Sequence, residues 1–584
     1  MAKTQQAVHV ARTKSRRVNK AGETVEYESV LLRRSYRQDG KVKHETLANL
    51  ASLPETAVED LRASLAGKTL IEATAGLEVT RSLPTGHIDA VNQMAHGLGF
   101  ESLLGPACRQ RDVIMGLIAA RICTPASKLA SLRWFADTTL ATDLGPVSTD
   151  EAYHAMDWLL ARQTAIESKL AHRYLGTEAN PDRLALFDLS SSWVTGHHNP
   201  LAARGYSRDK KKDVEQIEYG MLSTREGIPI AVRVVPGNTA DPAAFTAIAT
   251  EIKDLSGVDD MVMVGDRGMI TSARIRQLAD LGGLGWVTCL RAPAIQALAA
   301  DDGPLQMSLF DTQDLAEISH PDYPGERLIA CRNPALAAER ARKRDELLAA
   351  TETELDTIKA AVKAGRLAGA GRIGVKVGKV IDKYKMAKHF ELTITDDSLS
   401  HARRRDEITA EAALDGLYVI RTSVPGDRMD ADEAVRVYKS LANVEKIFKS
   451  LKSVDLRIRP IHHHTEDRTR AHVLLCMLAG HLTWHLRHAW APLTFTDEDR
   501  PTPANPVTAA TRSPQAQTKA SRRTLPDGTP AHSYQSLLRH LATRTRNTLR
   551  ANGTEATFEL TTLPTPAQRQ ATELIDHHLQ THGK

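Results

Sequence analysis

Two aspartates stand at the ends of strongly apolar runs. Asp188 closes the run LALFD, and Asp266 closes the run MVMVGD. A buried carboxylate without a partner costs several kcal/mol, so an acid at such a place is poor core filling. Either residue alone is more typical of a helix or turn cap. Two strands of one sheet that each end in Asp favour a divalent-metal site, because hard cations bind carboxylate oxygens.

A third acid, Glu445, lies in the amphipathic segment 431–452. At about 100° per residue, a continuous helix here has an apolar face formed by Val437, Leu441, Val444, Phe448 and Leu451. Tyr438, Glu445 and Lys452 then follow one stripe at the border of that face, with Lys449 beside them. An acid flanked by a phenol and amines suits a metal and a phosphate. The alternative is a half-exposed Glu445 paired with Lys449 one turn later.

A sheet must position the two aspartates. Residues 183–291 predict three leading strands, then alternating helices (AFTAIATEIKDL and TSARIRQLADLG) and strands (MVMVGDRGM and GWVTCL). This order predicts an α/β fold with a mixed sheet and helices on both faces. Residues 292–430 interrupt it with a charged helix and with Gly-punctuated strand runs, GRIGVKVGKV and HFELTITDD. Helix returns at about 431–452 and at 466–490.

The flanking segments differ in character. Two strand-like runs within residues 8–50 meet at Gln38-Asp39-Gly40, a hairpin signal, and are crowded with Lys and Arg. Such a module could lie on a DNA backbone, or its charges could simply be solvated. Residues 55–178 read as helical, with Ser148 and Glu151 spaced as a capping box.

Composition excludes several protein classes. The 584 residues include 42% hydrophobic and 25% charged residues, which is typical of a globular protein rather than of a disordered, collagen or coiled-coil chain. Lys and Arg total 76 against 71 Asp and Glu, so a polyanionic partner must be met by local basic patches. No apolar run reaches the roughly 18 residues of a membrane span, and no signal peptide is visible. We therefore expect a cytoplasmic protein without membrane contact.

These motifs, in this order, resemble a known family. LFDLSSSWVTG, RGYSRD, YGMLSTREGIPIAVRVVPGNTAD, VGDRGM and YKSLANVEKIFKSLKS are similar to the bacterial insertion-sequence DDE transposases. The similar branch has an RNase H-like core with a β-strand insertion between the second Asp and the Glu. The likeness covers about residues 180–490. The long interval from Asp266 to Glu445, 179 positions against 78 from Asp188 to Asp266, agrees with such an insertion.

The resemblance implies roles for individual residues. Asp188, Asp266 and Glu445 would be catalytic and would bind two Mg²⁺ ions, with Mn²⁺ as a substitute. Tyr438, Glu445 and Lys452 match the family signature of Tyr, two residues, Arg, three residues, Glu, six residues, Lys, in which Tyr and Lys meet DNA phosphate. Leu441 stands at the Arg position, which departs from the pattern.

Other basic residues are candidate DNA contacts from their positions alone. Arg204 and Arg208 lie in the loop HHNPLAARGYSRDKKK after the first strand, Arg267 follows Asp266, and Lys449 accompanies Glu445. A solvated loop or a local ion pair is the alternative for each of them.

The resemblance implies a DNA transposase that cleaves element ends by two-metal chemistry and joins the 3′-OH groups to target DNA. Double-stranded DNA and a homodimer in the DNA complex are the expected partners. An RNase H-fold nuclease without strand transfer, or an inactive DNA-binding derivative, are the alternatives. The expected segments are the basic β-hairpin module 1–54, the helical region 55–178 with a candidate role in DNA-end binding, core 179–291, insertion 292–430, second core part 431–496, Pro/Thr-rich linker 497–530 and tail 531–584.

Overall fold

The computed structural model describes the chain except for residues 1–6, 19–23, 39–40, 69–75, 177–183, 197, 206–212, 240–260, 268–274, 276–283, 301–302, 312, 552–553 and 583–584. Contacts divide it into two units, Met1–Leu83 with Thr545–Leu563, and Pro84–Arg544 with Pro564–Lys584. The segment boundaries drawn from the sequence remain predictions.

The described strands are β1 Ala7–Val18, β2 Thr24–Gln38, β3 Lys41–Asn49, β4 Leu77–Pro84, β5 Leu184–Trp193, β6 Gln216–Ser223, β7 Pro229–Pro236, β8 Met261–Val264, β9 Leu284–Cys289, β10 Leu315–Ile318, β11 Arg327–Arg332, β12 Phe390–Ile394, β13 Leu399–Arg403, β14 Leu417–Thr422, β15 Thr545–Ala551 and β16 Thr557–Thr561.

The described α-helices are α1 Glu55–Leu65, α2 Gly86–Gly97, α3 Phe100–Leu104, α4 Arg109–Cys123, α5 Lys128–Ala136, α6 Leu140–Asp143, α7 Thr149–Leu160, α8 Gln163–Leu175, α9 Ala292–Leu298, α10 Pro334–Lys363, α11 Ala370–Tyr384, α12 Arg405–Ala412, α13 Ala431–Lys439, α14 Leu441–Lys449, α15 Glu466–Ala489, α16 Pro514–Arg522, α17 Tyr534–Leu541 and α18 Pro566–His582.

The first unit contains two three-stranded sheets. Strands β1, β2 and β3 form an antiparallel sheet in chain order. Gln38 pairs with Lys41 across the predicted hairpin, whose Asp39 and Gly40 lie outside the described residues. Helix α1 packs Val58 against Val10 and Leu50, which gives this sheet one covered face. Strands β16, β15 and β4 form the second sheet.

An eight-stranded sheet in the order β10-β11-β14-β9-β8-β5-β6-β7 is the centre of the second unit. Strands β5, β6 and β7 form an antiparallel meander, whereas β5 with β8 and β8 with β9 are parallel. The predicted mixed sheet is therefore confirmed. The predicted helices at 244–255 and 271–282 lie outside the described residues, apart from Ile275, which is helical.

Part of the predicted insertion belongs to the main sheet. Strand β14 pairs antiparallel with β9, Ile420 opposite Cys289, and β11 and β10 continue the sheet beyond it. The expected strand HFELTITDD is confirmed as β12. The expected strand GRIGVKVGKV is wrong, because it lies in helix α11. Its apolar residues recur at helical spacing and are buried together, namely Ile373, Val377, Val380 and Ile381.

The single helix predicted over 431–452 is also wrong. Helix α13 ends at Lys439, α14 begins at Leu441, and residues Ser450–Val454 form a π-helical turn. The Ser440 hydroxyl donates to the carbonyl oxygen of Val437 at 2.6 Å, a local bond that competes with the helical pattern. Of the predicted apolar face, Leu441 is half-buried and the others are buried, Val437, Val444, Phe448 and Leu451.

The predicted linker 497–530 contains an ordered helix. Ser513 caps α16 and Pro514 occupies its first turn, where a proline costs no helical hydrogen bond. Lys519, only 2% exposed, forms an ion pair with Glu498. One of the prolines that give this segment its Pro/Thr-rich composition therefore starts a helix.

Helix α15 runs through the core, is capped by Thr465 and confirms the helix predicted at 466–490. His481 Nδ1 on this helix donates a hydrogen bond to the carbonyl oxygen of Pro229 at 2.9 Å, and His485 Nδ1 lies 2.9 Å from His578 Nε2 of α18. Among the described residues, no single helix is long and apolar enough to cross a membrane. The bent pair α4 and α5 meets that test only when taken together, by length and composition.

The glycines of α11 provide a test of its helical state. Gly374→Ala and Gly378→Ala add a methyl group where no neighbouring atom lies within 4 Å, so each should stabilise the helix by about 1 kcal/mol. Hydrogen exchange of α11 amides should slow accordingly. Gly369→Ala is the control, because its φ of +88° disfavours a side chain, and it should speed exchange. Faster exchange in the first two variants contradicts the helix.

The buried histidines predict acid sensitivity. Burial lowers the pKa of His481 to about 4, below its ordinary value near 6.5. The unfolded chain then binds more protons between pH 6.5 and 4, so stability is complete above this window and falls as pH drops through it. The loss attributable to His481 is on the order of 3 kcal/mol. Thermal unfolding of wild type and His481→Gln at pH 7.5 and 5 checks this; equal losses in both contradict it.

Candidate catalytic site

The two aspartates lie level on neighbouring strands. In the parallel pair of β5 and β8, Leu186 stands opposite Val264, and the same register brings Asp188 level with Asp266. Asp188 is half-buried within β5, whereas Asp266 is exposed two residues beyond β8. Adjacent strands lie about 4.8 Å apart. The sequence prediction that both acids reach one place on one sheet therefore agrees with the strand register.

The helix that carries Glu445 packs on the sheet face to which Asp188 belongs. Asp188 shares its face with Tyr219, because Ser190 is opposite Tyr219 in the antiparallel pair of β5 and β6 and side chains alternate along a strand. The Tyr219 ring lies 5.8 Å from the ring of Phe448 on α14. Asp188 and the Glu445 helix are thus on the same side of the sheet.

Glu445 itself is exposed on α14. It makes no hydrogen bond or ion pair with the described part of the chain, so its alternative pairing with Lys449 is not formed. The helix is anchored two residues earlier, where the Asn443 side chain donates to the carbonyl oxygen of Arg225 at 2.9 Å. Lys449 is exposed on the same helix. The carboxylate of Glu445 is therefore available for a ligand.

Tyr438 lies close to the second aspartate. Burial raises the pKa of its hydroxyl, and the neighbouring Cys289 and Asp266 raise it further, while Arg267 opposes them. Cys289 is the last residue of β9, and Asp266 follows the neighbouring strand β8. Burial raises the pKa of the Cys289 thiol as well. Sequence reasoning missed Cys289, although its place at a third strand end was a usable signal.

Lys452 occupies the π-helical turn and is half-buried. The turn is held by Asp455, which accepts from the Ser450 hydroxyl at 2.6 Å and from Arg487 at 2.6 Å. The stripe of Tyr438, Glu445 and Lys452 predicted on one straight helix is consequently spread over α13, α14 and the π turn.

The remaining predicted residues are partly described. Arg204 is exposed in the loop before β6, and Arg267 is exposed in the turn after Asp266; Arg208 lies outside the described residues. Within the described ranges, no three His, Cys, Asp or Glu side chains form a group that could hold a metal ion. The structure brings together the strands and the helix that carry the acids, but not the three carboxylates themselves.

Two family models match the chain. The family described as "Transposase DDE domain" matches residues 190–480, and "IS1634 family transposase, N-terminal domain" matches residues 13–75. The chain belongs to the insertion-sequence DDE transposases. The first match contains Asp266 and Glu445 and begins two residues after Asp188. The resemblance noted in the sequence is thereby confirmed, and DNA transposition is the process in which this family acts.

Comparison with other proteins adds little detail to this assignment. No curated protein matches the transposase. A solved structure described as the piggyBac transposase synaptic complex with hairpin DNA is similar at 8% identity and a TM-score of 0.33, over 78% of this chain and 76% of that one.

The exposed acids should contribute little to stability. Asp266→Asn and Glu445→Gln in metal-free buffer should leave the urea midpoint of the transposase almost unchanged, because neither side chain has an ion-pair partner among the described residues. Asp455→Asn is the contrasting control. Asp455 is 1% exposed and paired with Arg487, so its loss should cost roughly 3 kcal/mol. A comparable cost for Glu445→Gln contradicts a ligand-binding role.

Proposed function

We propose that this transposase cleaves DNA at the ends of its element and that Asp188, Asp266 and Glu445 are the catalytic carboxylates. The observation that carries the proposal is the register of β5 and β8, which brings Asp188 level with Asp266. The position of α14 on the Asp188 face adds Glu445 to the same side of the sheet.

The proposal includes an RNase H-like core. It is supported by five strands of the central sheet, which lie in the order β7-β6-β5-β8-β9. The first three along the chain, β5, β6 and β7, are antiparallel neighbours, and β8 and β9 are parallel to β5. The first acid then lies on the first strand of the core and the second acid after the fourth. Strands β14, β11 and β10 extend this core from the insertion.

The donor set suits Mg²⁺, with Mn²⁺ as a substitute. All three candidate ligands are carboxylates, the oxygen ligands that hard cations prefer, and Asp266 and Glu445 are exposed. No three-acid group is formed among the described side chains, so the proposed ligation rests on strand register and helix position. Two bound ions would supply an activated water and stabilise the leaving 3′ oxygen of an in-line displacement.

The protein's own residues bind and orient the DNA in this proposal. Tyr438 keeps its proton because burial raises its pKa, so it is a neutral hydrogen-bond donor to a phosphate oxygen. Lys452 and Lys449 supply positive charge next to Glu445, and Arg267 supplies it next to Asp266. The loop residues Arg204 and Arg208 extend the phosphate contacts.

Strand transfer follows from the same site. The 3′-OH freed by cleavage would attack a phosphodiester of target DNA and displace the 3′ oxygen of the target strand, which leaves as a 3′-OH. One P–O bond is exchanged for another, so no covalent bond between protein and DNA forms. We propose that the transposase works as a homodimer that binds two paired element ends. We place this reaction in the bacterial cytoplasm, on the DNA of the nucleoid.

The test uses purified transposase and duplexes that carry the sequences flanking its gene. We expect strand cleavage with Mg²⁺ or Mn²⁺, none with EDTA, and a loss of at least about a hundredfold in Asp188→Asn, Asp266→Asn and Glu445→Gln. Lys446→Gln is the matched control, because Lys446 lies on α14 and hydrogen-bonds only Asn443 of the same helix among described partners. Products in which the 3′ end is joined to a second duplex establish strand transfer.

Other results have defined meanings. Cleavage without joining supports the nuclease alternative, and DNA binding without cleavage supports the inactive derivative. Full activity in Glu445→Gln removes Glu445 from the site.

A further inference from the structure

The two helices that carry Tyr438 and Glu445 pack on different parts of the central sheet. Helix α13 packs against β9, β14, β11 and β10, whereas α14 packs against β5, and β8 lies between β9 and β5. A continuous helix would fix Tyr438 and Glu445 relative to each other at 100° per residue. Because the helix breaks at Ser440, their relation depends on contacts outside the two helices.

The turn between β6 and β7, here called the β6–β7 turn, consists of Thr224, Arg225, Glu226 and Gly227. The Gly227 N–H donates to the carbonyl oxygen of Thr224 at 3.0 Å, and the Thr224 N–H donates to the carbonyl oxygen of Ile228 at 3.0 Å. The Ile228 N–H also donates to the Thr224 hydroxyl at 3.1 Å. These bonds use backbone atoms and the Thr224 side chain, so the Arg225 side chain can be replaced without breaking them.

The β6–β7 turn contacts both helices through Arg225. Its Nη1 lies 2.5 Å from Oε1 of Glu433 on α13, and its carbonyl oxygen accepts a hydrogen bond from the Asn443 side chain on α14 at 2.9 Å. One contact uses the side chain and the other uses the backbone, so each can be removed by a separate substitution. The neighbouring Glu226 carbonyl oxygen accepts from Trp484 Nε1 of α15 at 3.2 Å, which ties the turn to the core helix.

Gly227 shows how closely the turn approaches α14. Its φ is +95°, and a Cβ added there would lie 3.1 Å from the Cβ and 3.4 Å from the carbonyl oxygen of Asn443. This conformation favours glycine, and any side chain at the position would push against α14. The turn and the helix are therefore in direct contact.

Helix α13 has a second anchor at its C-terminal end. Lys439 Nζ donates to the carbonyl oxygens of Pro506, Val507 and Thr508 at 2.6, 2.7 and 2.8 Å. These partners belong to the segment 506–508 and not to α14. Arg225 differs from Lys439 because it contacts both helices.

The ion pair of Arg225 with Glu433 is partly exposed to water. The two side chains are 31% and 29% exposed, and pairs of this kind contribute little to the stability of a fold. The pair can nevertheless orient α13 relative to the turn, because it joins groups on two separate elements.

We infer that Arg225 is a positioning residue of the proposed catalytic site. Its side chain holds α13 through Glu433, and its carbonyl oxygen holds α14 through Asn443. Together the two contacts fix the orientation of Tyr438 relative to Glu445. The inference rests on the proposed function, because it assigns Arg225 an effect on the cleavage step and not a contact with DNA.

Separate removal of the two contacts tests the inference. Arg225→Met and Glu433→Gln each remove the ion pair and keep the carbonyl oxygen of the turn, and Asn443→Ala removes the hydrogen bond to that oxygen. Lys446→Gln is the matched control for Asn443→Ala. It removes the hydrogen bond from Lys446 to Asn443, at 3.1 Å, and keeps the bond from Asn443 to Arg225.

Cleavage of the end duplex is measured in single turnover over a series of Mg²⁺ concentrations, and the Kd for the duplex is measured in EDTA. We expect Arg225→Met and Asn443→Ala each to lower the maximal rate by at least about tenfold, since misplacement by about 1 Å can cost about a hundredfold. The Mg²⁺ concentration at half-maximal rate should rise, while the Kd should change less than about threefold. Lys446→Gln should keep the wild-type rate.

The double variant of Arg225→Met and Glu433→Gln separates positioning from DNA contact. Both substitutions remove the same ion pair, so the double variant should be no slower than the slower single variant. Additive losses overturn the inference. A higher Kd with an unchanged maximal rate in Arg225→Met identifies a DNA contact and also overturns it, as does an equal loss of rate in Lys446→Gln.

Hydrogen exchange is measured on the same proteins without DNA or metal. We expect faster amide exchange in α13 of Arg225→Met and in α14 of Asn443→Ala, with α10 unchanged as the internal reference. If the wild type does not cleave, the proposed function fails; faster exchange then supports the positioning of the helices, and unchanged exchange overturns it. Wild-type cleavage with unchanged rates in both variants keeps the proposed function and overturns the inference.

Discussion

The parallel hydrogen bonding of β5 with β8 is the constraint on which the candidate site depends. It fixes Leu186 opposite Val264 and thereby sets two acids, distant in the chain, at one level of one sheet. A one-residue slip of β8 would send its side chains to the other face. All four residues of β8 are buried, so a slip would also disrupt the close packing of side chains on both faces of the sheet.

The second constraint is the packing of α14 on that sheet. Phe448 and Val444 are buried, and the contact of Phe448 with Tyr219 fixes which side of the sheet the helix covers. Glu445 then has to be at the exposed edge, because its neighbours occupy the apolar side. Val444 and Phe448 thus stabilise the packing of the helix, while Glu445 on the same turn stays accessible to a ligand.

Charge is organised in the same way in the N-terminal sheet. All acids of β1, β2 and β3 lie on the side of the sheet that α1 covers, where arginines pair with them, while the other side has arginines and no acid in the described strands. Each side nevertheless has a formal surplus of three positive charges, because the first carries six basic and three acidic strand residues and the second carries three basic ones. The net charge of +5 for the whole chain therefore does not describe how acids and bases are distributed on a particular surface.

Much of this could be predicted from the sequence. Apolar runs ending in Asp188 and Asp266 indicated strand ends, and the mixed sheet followed from the order of elements. The strand predicted at α11 is wrong because its three glycines are unfavourable in a helix and its β-branched residues favour strands, whereas its packing against α10 selects the helix. The break at Ser440 was equally invisible, since one hydroxyl-to-carbonyl bond decides it.

The sequence by itself determined the family and the buried face of the Glu445 helix, and it predicts which three acids form the site. These properties are local, because they depend on residue type and short spacing. Tertiary structure alone decided that β14, β11 and β10 extend the central sheet, that Cys289 and Tyr438 neighbour Asp266, and which sheet face lacks acids. Those properties depend on strand pairing between distant segments, and pairing partners are chosen by burial and hydrogen bonding across the whole fold.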